Sequence, residues 1–203
     1  MIHVESVSKT IGGRAILTDV SFRVAPGITA LLGPNGAGKS TLLRILSGIW
    51  HPTSGRVTIA NIELHRDAVE AKRRLGYQPE FPDLHPALTP RRYLDFVASV
   101  RRCDRRATCA KFGVDEFLDV AIGKLSQGQK RLVTLVAAVM HDPEVLLLDE
   151  PTNSLDPQRV EILRTMLTEE RRGKTHLIST HQLDFIGAIA DVTLTLSGGR
   201  LVT

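Results

Sequence analysis

Gly33-Pro34-Asn35-Gly36-Ala37-Gly38-Lys39-Ser40-Thr41 satisfies the pattern G-x-x-x-x-G-K-[ST] at every fixed position. The apolar run Ile28-Thr29-Ala30-Leu31-Leu32 leads into it and reads as a buried strand. Leu42, Leu43, Ile45 and Leu46 follow at helical spacing, so a helix is expected to start near Lys39. Strand, glycine loop and helix are the context this pattern requires. Gly33, Gly36 and Gly38 let successive backbone N–H groups converge on one anion, and the following helix turns its positive end toward the same place. Lys39 adds a full charge near the outer phosphates, and the Ser40 hydroxyl is suited to ligate Mg²⁺. The stretch implies an α/β core that takes a nucleoside triphosphate.

Before this loop the chain reads as β. Ile2 to Val7 and Val20 to Val24 alternate apolar and polar residues, with turn signals at Gly12-Gly13 and Pro26-Gly27. After it, Arg56 to Ala60 gives another alternating strand, a short polar helix covers Ala68 to Arg74, and a strand is expected to end at Leu75-Gly76-Tyr77-Gln78-Pro79. Composition shifts between Glu80 and His141, where Val/Ile strands give way to helical stripes. Thr89-Pro90 caps one helix and Ser126 opens a second. The core resumes with Val145-Leu146-Leu147-Leu148, an unbroken apolar run of the kind found in a parallel strand covered on both faces. Asp156-Pro157 then starts a helix that Gly173 stops, Thr175 to Thr180 is a strand, and a hairpin around Gly198-Gly199 closes the sequence. The expected organisation is one domain over 1–203, with a core and β subdomain at 1–79 and 142–203 and a helical subdomain at 80–141.

Composition narrows the class. The chain has 203 residues, 42% hydrophobic and 24% charged, which suits one ordinary core with a subdomain set into it. No run reaches the ~20 apolar residues that cross a bilayer, and no signal-peptide layout opens the chain. Any work at a membrane therefore requires a separate membrane-embedded subunit. Cys103 and Cys109 read as free thiols. The net charge of +4 owes much to Arg91, Arg92, Arg101, Arg102, Arg105, Arg106 and Lys111. That cluster reads as a solvated helix face, in preference to a surface for anionic headgroups or an acidic partner.

Open parallel sheets bind ligands beyond the carboxyl ends of their strands, and four groups fall at such ends. They are the glycine loop, Gln78, Asp149-Glu150 and His181. Asp149 is placed to hold Mg²⁺ opposite Ser40. Glu150 is placed to act as general base on a water. His181 is placed to bond the γ-phosphate or orient Glu150, and Gln78 to touch the metal or the water. A second distinctive stretch is Leu125-Ser126-Gln127-Gly128-Gln129. Ser126 is a good helix N-cap, and with Gly128 beside it the helix end is also suited to an anion. One chain thus offers two phosphate-facing helix ends and one complete nucleotide loop.

Taken together, these stretches resemble the nucleotide-binding subunit of ATP-binding-cassette (ABC) transporters over essentially the whole chain. Gly33 to Thr41 and Val145 to Glu150 match the family's Walker A and Walker B, Gln78 the Q-loop glutamine, and Leu125 to Gln129 the signature. Ser154-Leu155-Asp156 matches the D-loop, and His181 the switch histidine. The resemblance implies a RecA-like P-loop NTPase core with an antiparallel β subdomain and an inserted helical subdomain. It also implies ATP and Mg²⁺ as cofactors, and a second ABC subunit packed head to tail. Ser126 and Gly128 of one copy, with Gln129 and Asp156 beside them, would then face the γ-phosphate held by the Lys39 loop of the other.

Three positions depart from the family pattern. Ile11 falls where the family often stacks an aromatic ring on adenine, so weaker nucleotide binding or looser base selection is expected. Gln127 replaces the first glycine of the signature, and its side chain must point away from the phosphate. The sequence stops soon after its last strands, where some relatives continue into a regulatory domain. The expected function is an ATPase subunit of an exporter, working on the cytoplasmic face of the membrane through its partner. The alternatives are a soluble ABC ATPase acting on nucleic acid or ribosomes, against which the single cassette and the lack of heptads argue, and a non-hydrolysing regulatory cassette, against which Glu150 and His181 argue.

Overall fold

Two sheets enclose the helix that follows the glycine loop. The computed structural model describes residues 1–202. The first sheet is antiparallel throughout, in the order β2-β1-β4-β5, with β1 Ile2–Ile11, β2 Arg14–Val24, β4 Ser54–Ile59 and β5 Ile62–Glu63. The second runs β10-β9-β3-β8-β7-β6, with β3 Gly27–Leu32, β6 Leu75–Gln78, β7 Val145–Asp149, β8 Thr175–Ser179, β9 Val192–Ser197 and β10 Arg200–Val202. Every neighbouring pair in it is parallel except the terminal hairpin β9–β10. This is the RecA-like P-loop architecture.

Both faces of the parallel sheet are covered, which is why β3, β7 and β8 read as apolar runs. On one face Leu31, Leu147 and Leu177 pack with Leu42, Leu43, Ile45 and Leu46 of α1 (Lys39–Leu46), and with Ile2, Val4 and Val57 of the antiparallel sheet. On the other face Ile28, Ala30, Leu148 and Ile178 meet α5 (Gln127–Val139) and α6 (Pro157–Glu170). Between β6 and β7 every element is helical. These are α3 (Pro90–Arg101), α4 (Arg106–Phe112), two 3₁₀ turns at Val114–Phe117 and Ile122–Lys124, and α5. The basic cluster lies on α3 and α4 and the turn between them. Arg91 pairs with Asp119, Arg105 with Asp95 and Arg106 with Asp104.

Helix boundaries follow their caps. The Thr89 hydroxyl accepts from the Arg92 N–H at 3.4 Å ahead of Pro90, and Asp156 accepts from the Arg159 N–H at 3.0 Å ahead of Pro157. α2 (Ala68–Arg73) is capped by Asp67. Two short helices, α4 and α7 (Leu183–Gly187), are not anticipated from the sequence, since each buries only two side chains. β1 and β2 run farther toward their shared turn than expected. Their outer halves bury little on either face, so alternation is lost there, and the β1–β2 register shifts three times between Val4 and Thr10.

Candidate functional site

The glycine loop is held by close packing. A Cβ on Gly33 would lie 2.1 Å from the Leu196 carbonyl oxygen, and one on Gly38, at φ 105, would lie 2.8 Å from Leu17. Neither position tolerates a side chain, so β2 and β9 press directly on the loop backbone. Inside it the Lys39 ammonium, 8% exposed, donates to the carbonyls of Gly33 (2.7 Å) and Pro34 (3.3 Å). The loop therefore presents a buried cation at the start of α1. A cleft of 580 Å³ opens above it, lined by Asn35 to Thr41 with Asp149, Glu150 and His181 from the ends of β7 and β8.

Each strand-end group has a defined environment. Asp149 is buried, and desolvation raises its pKa; the Ser179 and Ser40 hydroxyls work against that rise. Glu150 adopts φ 50, a left-handed conformation unusual for a residue with a side chain. Its N–H donates to the Ser179 carbonyl at 2.9 Å, and its Oε2 sits 2.9 Å from His181 Nδ1 while accepting from the His181 N–H at 3.3 Å. The carboxylate is thus nearly buried beneath an exposed imidazole.

Gln78 does not line the cleft. As the last residue of β6 it is still in the ladder, opposite Leu148, and its amide is fully buried with neither polar atom hydrogen-bonded to a described residue. Glu80, two residues on, takes the place on the cleft wall. Burial raises its pKa, and the negative charges of Asp149 and Glu150 add to the effect. Ile11 also lies off the cleft. It sits exposed at the β1 end of the hairpin, and since β2 is the strand packed on the loop, Arg14 and Ile16 line the wall instead.

Ser126, Gly128, Gln129 and Asp156 gather elsewhere, in a separate crevice of 370 Å³ that shares no lining residue with the first. Ser126 and Gln129 form a reciprocal capping box, at 3.1 and 2.9 Å. Asp156 is ion-paired to Arg159 at 2.6 Å. A Cβ on Gly128 would lie 2.3 Å from the Ser154 carbonyl oxygen, so the glycine is needed for this close approach. Gln127 is exposed.

Arg131 is a further site residue that motif reading passes over. It is 6% exposed on α5, and its guanidinium donates to the carbonyls of Glu150 and Asn153, each at 2.8 Å, and of Glu80 at 2.5 Å. One side chain therefore ties the loop after β6 to the loop after β7 beside the cleft. The available signal was the run Arg131 to Val136, too apolar for a surface helix and so a place where a charge is committed inward.

The donor set suits a hard divalent cation. Ser40 and Asp149 offer oxygen ligands on facing elements, and among the described residues the buried Asp149 carboxylate forms no ion pair, the charge of Arg44 only partly offsetting its desolvation. Among the described residues no group of three or more His, Cys, Asp or Glu forms a cage. Mg²⁺ takes one or two protein oxygens and completes its shell with phosphate and water, so Ser40 and Asp149 would suffice to hold it.

Comparison with known proteins gives a consistent picture. The sequence model of the family described as ABC transporter matches residues 17–153. A Nod factor export ATP-binding protein I of Rhizobium etli is 35% identical over 99% of this chain and 66% of its own length. An uncharacterised ABC transporter ATP-binding protein, YybJ, of Bacillus subtilis is 32% identical over 100% of this chain and 95% of its own. Among solved structures, an ATP-binding subunit of an ABC transporter superposes with a TM-score of 0.91 at 28% identity, covering 100% of this chain and 88% of that one. A dimeric ATP-binding cassette in a post-hydrolysis state, bound to ADP and Pi, gives 0.84 at 25% identity, covering 100% and 97%.

Proposed function

The chain belongs to the ABC transporter family and is an ATP-binding ATPase cassette, and on that premise we propose that it powers export through a separate membrane subunit. The relative from Rhizobium etli is named for Nod factor export, which favours export over import. No helix of the described residues is long and apolar enough to cross a membrane, and the export reading puts the spanning segments in a partner subunit. The place of work is accordingly the cytoplasmic face of the cell membrane.

The observation that carries the mechanism is the division of the motifs between two crevices with no residue in common. Lys39 and the loop amides hold the triphosphate on one copy, while the exposed Ser126 and the half-buried Gly128 wait on another face for a second copy to bring them a γ-phosphate. Contacts made only across the closed pair exist only with ATP bound, so ATP favours closure by their differential free energy. Glu150 takes the proton of the attacking water, and His181, 2.9 Å from it, orients the carboxylate and shields it from solvent. Ser40 and Asp149 would hold Mg²⁺, which when bound would supply neutralisation of the phosphate charge. Gln78 has an unpartnered amide and sits beside Glu80, so it gains partners when the loop after β6 moves. The helical span 80–141 transmits that movement. A groove of 710 Å³ between it and the core, bordered by exposed Phe81, Phe96, Val100 and Ile49, is the contact surface for the membrane subunit.

Complementary variants test the shared site. Lys39→Ala removes the phosphate grip and Ser126→Arg blocks the opposite helix end, so neither is expected to turn over ATP alone. Mixed copies form pairs with one intact composite site, and ATPase activity should return to a measurable fraction of wild type. Mixtures as inactive as the single variants would refute the two-copy site.

A further inference from the structure

The cleft has no Phe, Tyr or Trp on its walls, and its one aromatic ring, His181, is held against Glu150; the planar guanidinium of Arg14 lines another part of the wall. Arg14 opens β2 directly after the Gly12-Gly13 turn and lines the cleft together with Ile16, two residues along the same strand. Residues two apart on a strand share a face. Ile16 is the inner of the two. Its carbonyl oxygen lies 3.2 Å from the Cβ position of Gly38, and the side chain of Leu17 closes on the same glycine. The Arg14 Cα is therefore about 7 Å farther out from the phosphate loop along the strand, on the side where the nucleoside of a loop-bound triphosphate must extend. Arg91, Arg105 and Arg106 are each tied to a carboxylate, whereas among the described residues Arg14 has no such partner. Its guanidinium is exposed and uncommitted. Ile11, its register partner across the hairpin, flanks it with an apolar side chain.

We infer that Arg14 is the base-binding residue of this cassette, its guanidinium plane stacking on the purine while Ile16 covers the apolar edge on the cleft side. The inference rests on the nucleotide-site reading above and adds to it the element that sets base selection. A guanidinium is planar, weakly hydrated and stacks on π faces, which an ammonium does not reproduce. Every purine offers such a face, so a stack of this kind distinguishes purine from pyrimidine more than adenine from guanine. A phosphate clamp by the same arginine would behave differently, because it would act on any polyphosphate whether or not a base were attached.

Binding of ATP, GTP, CTP and inorganic tripolyphosphate to the full chain, measured calorimetrically with Mg²⁺, separates these cases. Wild type should bind ATP and GTP within about threefold of each other and CTP more weakly. Arg14→Ala should weaken ATP and GTP alike, by roughly five- to tenfold, and leave tripolyphosphate within about twofold. Arg14→Lys, which keeps the charge and loses the plane, should resemble Arg14→Ala for the nucleotides. Unchanged thermal denaturation of both variants would confirm that they fold. Equal losses for tripolyphosphate and ATP, full rescue by lysine, or no loss in Arg14→Ala would each overturn the assignment. Lys39→Ala serves as the reference for the site itself. Wild type that binds ATP and tripolyphosphate no better than Lys39→Ala would instead overturn the nucleotide-site reading, and this inference with it.

Discussion

Glu150 occupies a left-handed conformation, φ 50, that costs a residue with a Cβ about 1–2 kcal/mol. The backbone bonds to β8 hold it there, through the Glu150 N–H and the Ser179 carbonyl, and the distortion turns the carboxylate under His181. A strained residue over a phosphate site is where a catalytic role is expected. Glu150→Gln retains size and hydrogen bonding and removes the basic oxygen. Steady-state ATP turnover should fall by about 10²–10⁴-fold, with ATP affinity nearly unchanged and an ATP-dependent dimer accumulating in size-exclusion chromatography. A variant keeping more than about a tenth of wild-type turnover would remove Glu150 from the role of base. At this scale the sequence is legible where chemistry is local. The loop, Asp149, Glu150 and His181 come together because each ends a strand of one parallel sheet. Gln78 and Ile11 stand off the cleft wall, which Glu80 beyond the end of β6 and Arg14 across the hairpin line instead, since the face a side chain takes at a strand end depends on where the ladder stops.

At the scale of the element, α5 joins the Ser126 crevice to the Lys39 cleft. Its N-terminus carries the capping box, and one turn later Arg131 reaches the carbonyls of Glu80, Glu150 and Asn153. A shift of α5 therefore moves the loop after β6 and the loop after β7 together. Three carbonyls lose a charged donor in Arg131→Met, and removal of a buried charged partner typically costs about 3 kcal/mol or more. Arg131→Lys should recover little of this, because a point charge cannot serve three acceptors in fork geometry. Turnover should drop in both while ATP affinity of the folded fraction changes by less than about threefold, the pattern of a positioning residue. Equal losses in affinity and turnover would place Arg131 in nucleotide binding instead. The helices α3, α5 and α6 were legible through their caps, whereas α4 and α7 were not. Each of these is held by two buried side chains and by tertiary packing that no local pattern encodes.

At the scale of the whole molecule, stability depends on histidines that the fold keeps neutral. His176 lies on the central strand β8, fully buried, with neither ring nitrogen bonded to a described residue, and burial lowers its pKa to about 4. His141, bonded to the Leu75 carbonyl at 3.2 Å, is likewise lowered to about 4 by burial, with Arg101 adding to the shift. Unfolded histidine titrates near 6.5, so above that pH neither form of the chain binds the proton and stability is unaffected. As pH falls below 6.5 the unfolded chain takes up protons that the folded chain refuses, and stability declines until about pH 4. Asp149 and Glu80, with raised pKa values, oppose this trend, because the fold tolerates their protonated forms more readily. Comparing wild type with His176→Leu isolates one contribution. Near pH 7 the variant should be more stable by about 1 kcal/mol, since a buried polar ring without partners is replaced by an apolar side chain of similar size. By pH 5, 1.5 units below the unfolded value, the gap should widen by about 2 kcal/mol. Urea denaturation of nucleotide-free protein at the two pH values reads this directly, since bound ATP would add its own linkage. A gap that stays constant would mean that His176 is protonated or solvated within the fold. The measurement would then place water inside the sheet that carries Asp149 and Glu150, and the low-dielectric cleft on which their chemistry depends would need to be redrawn.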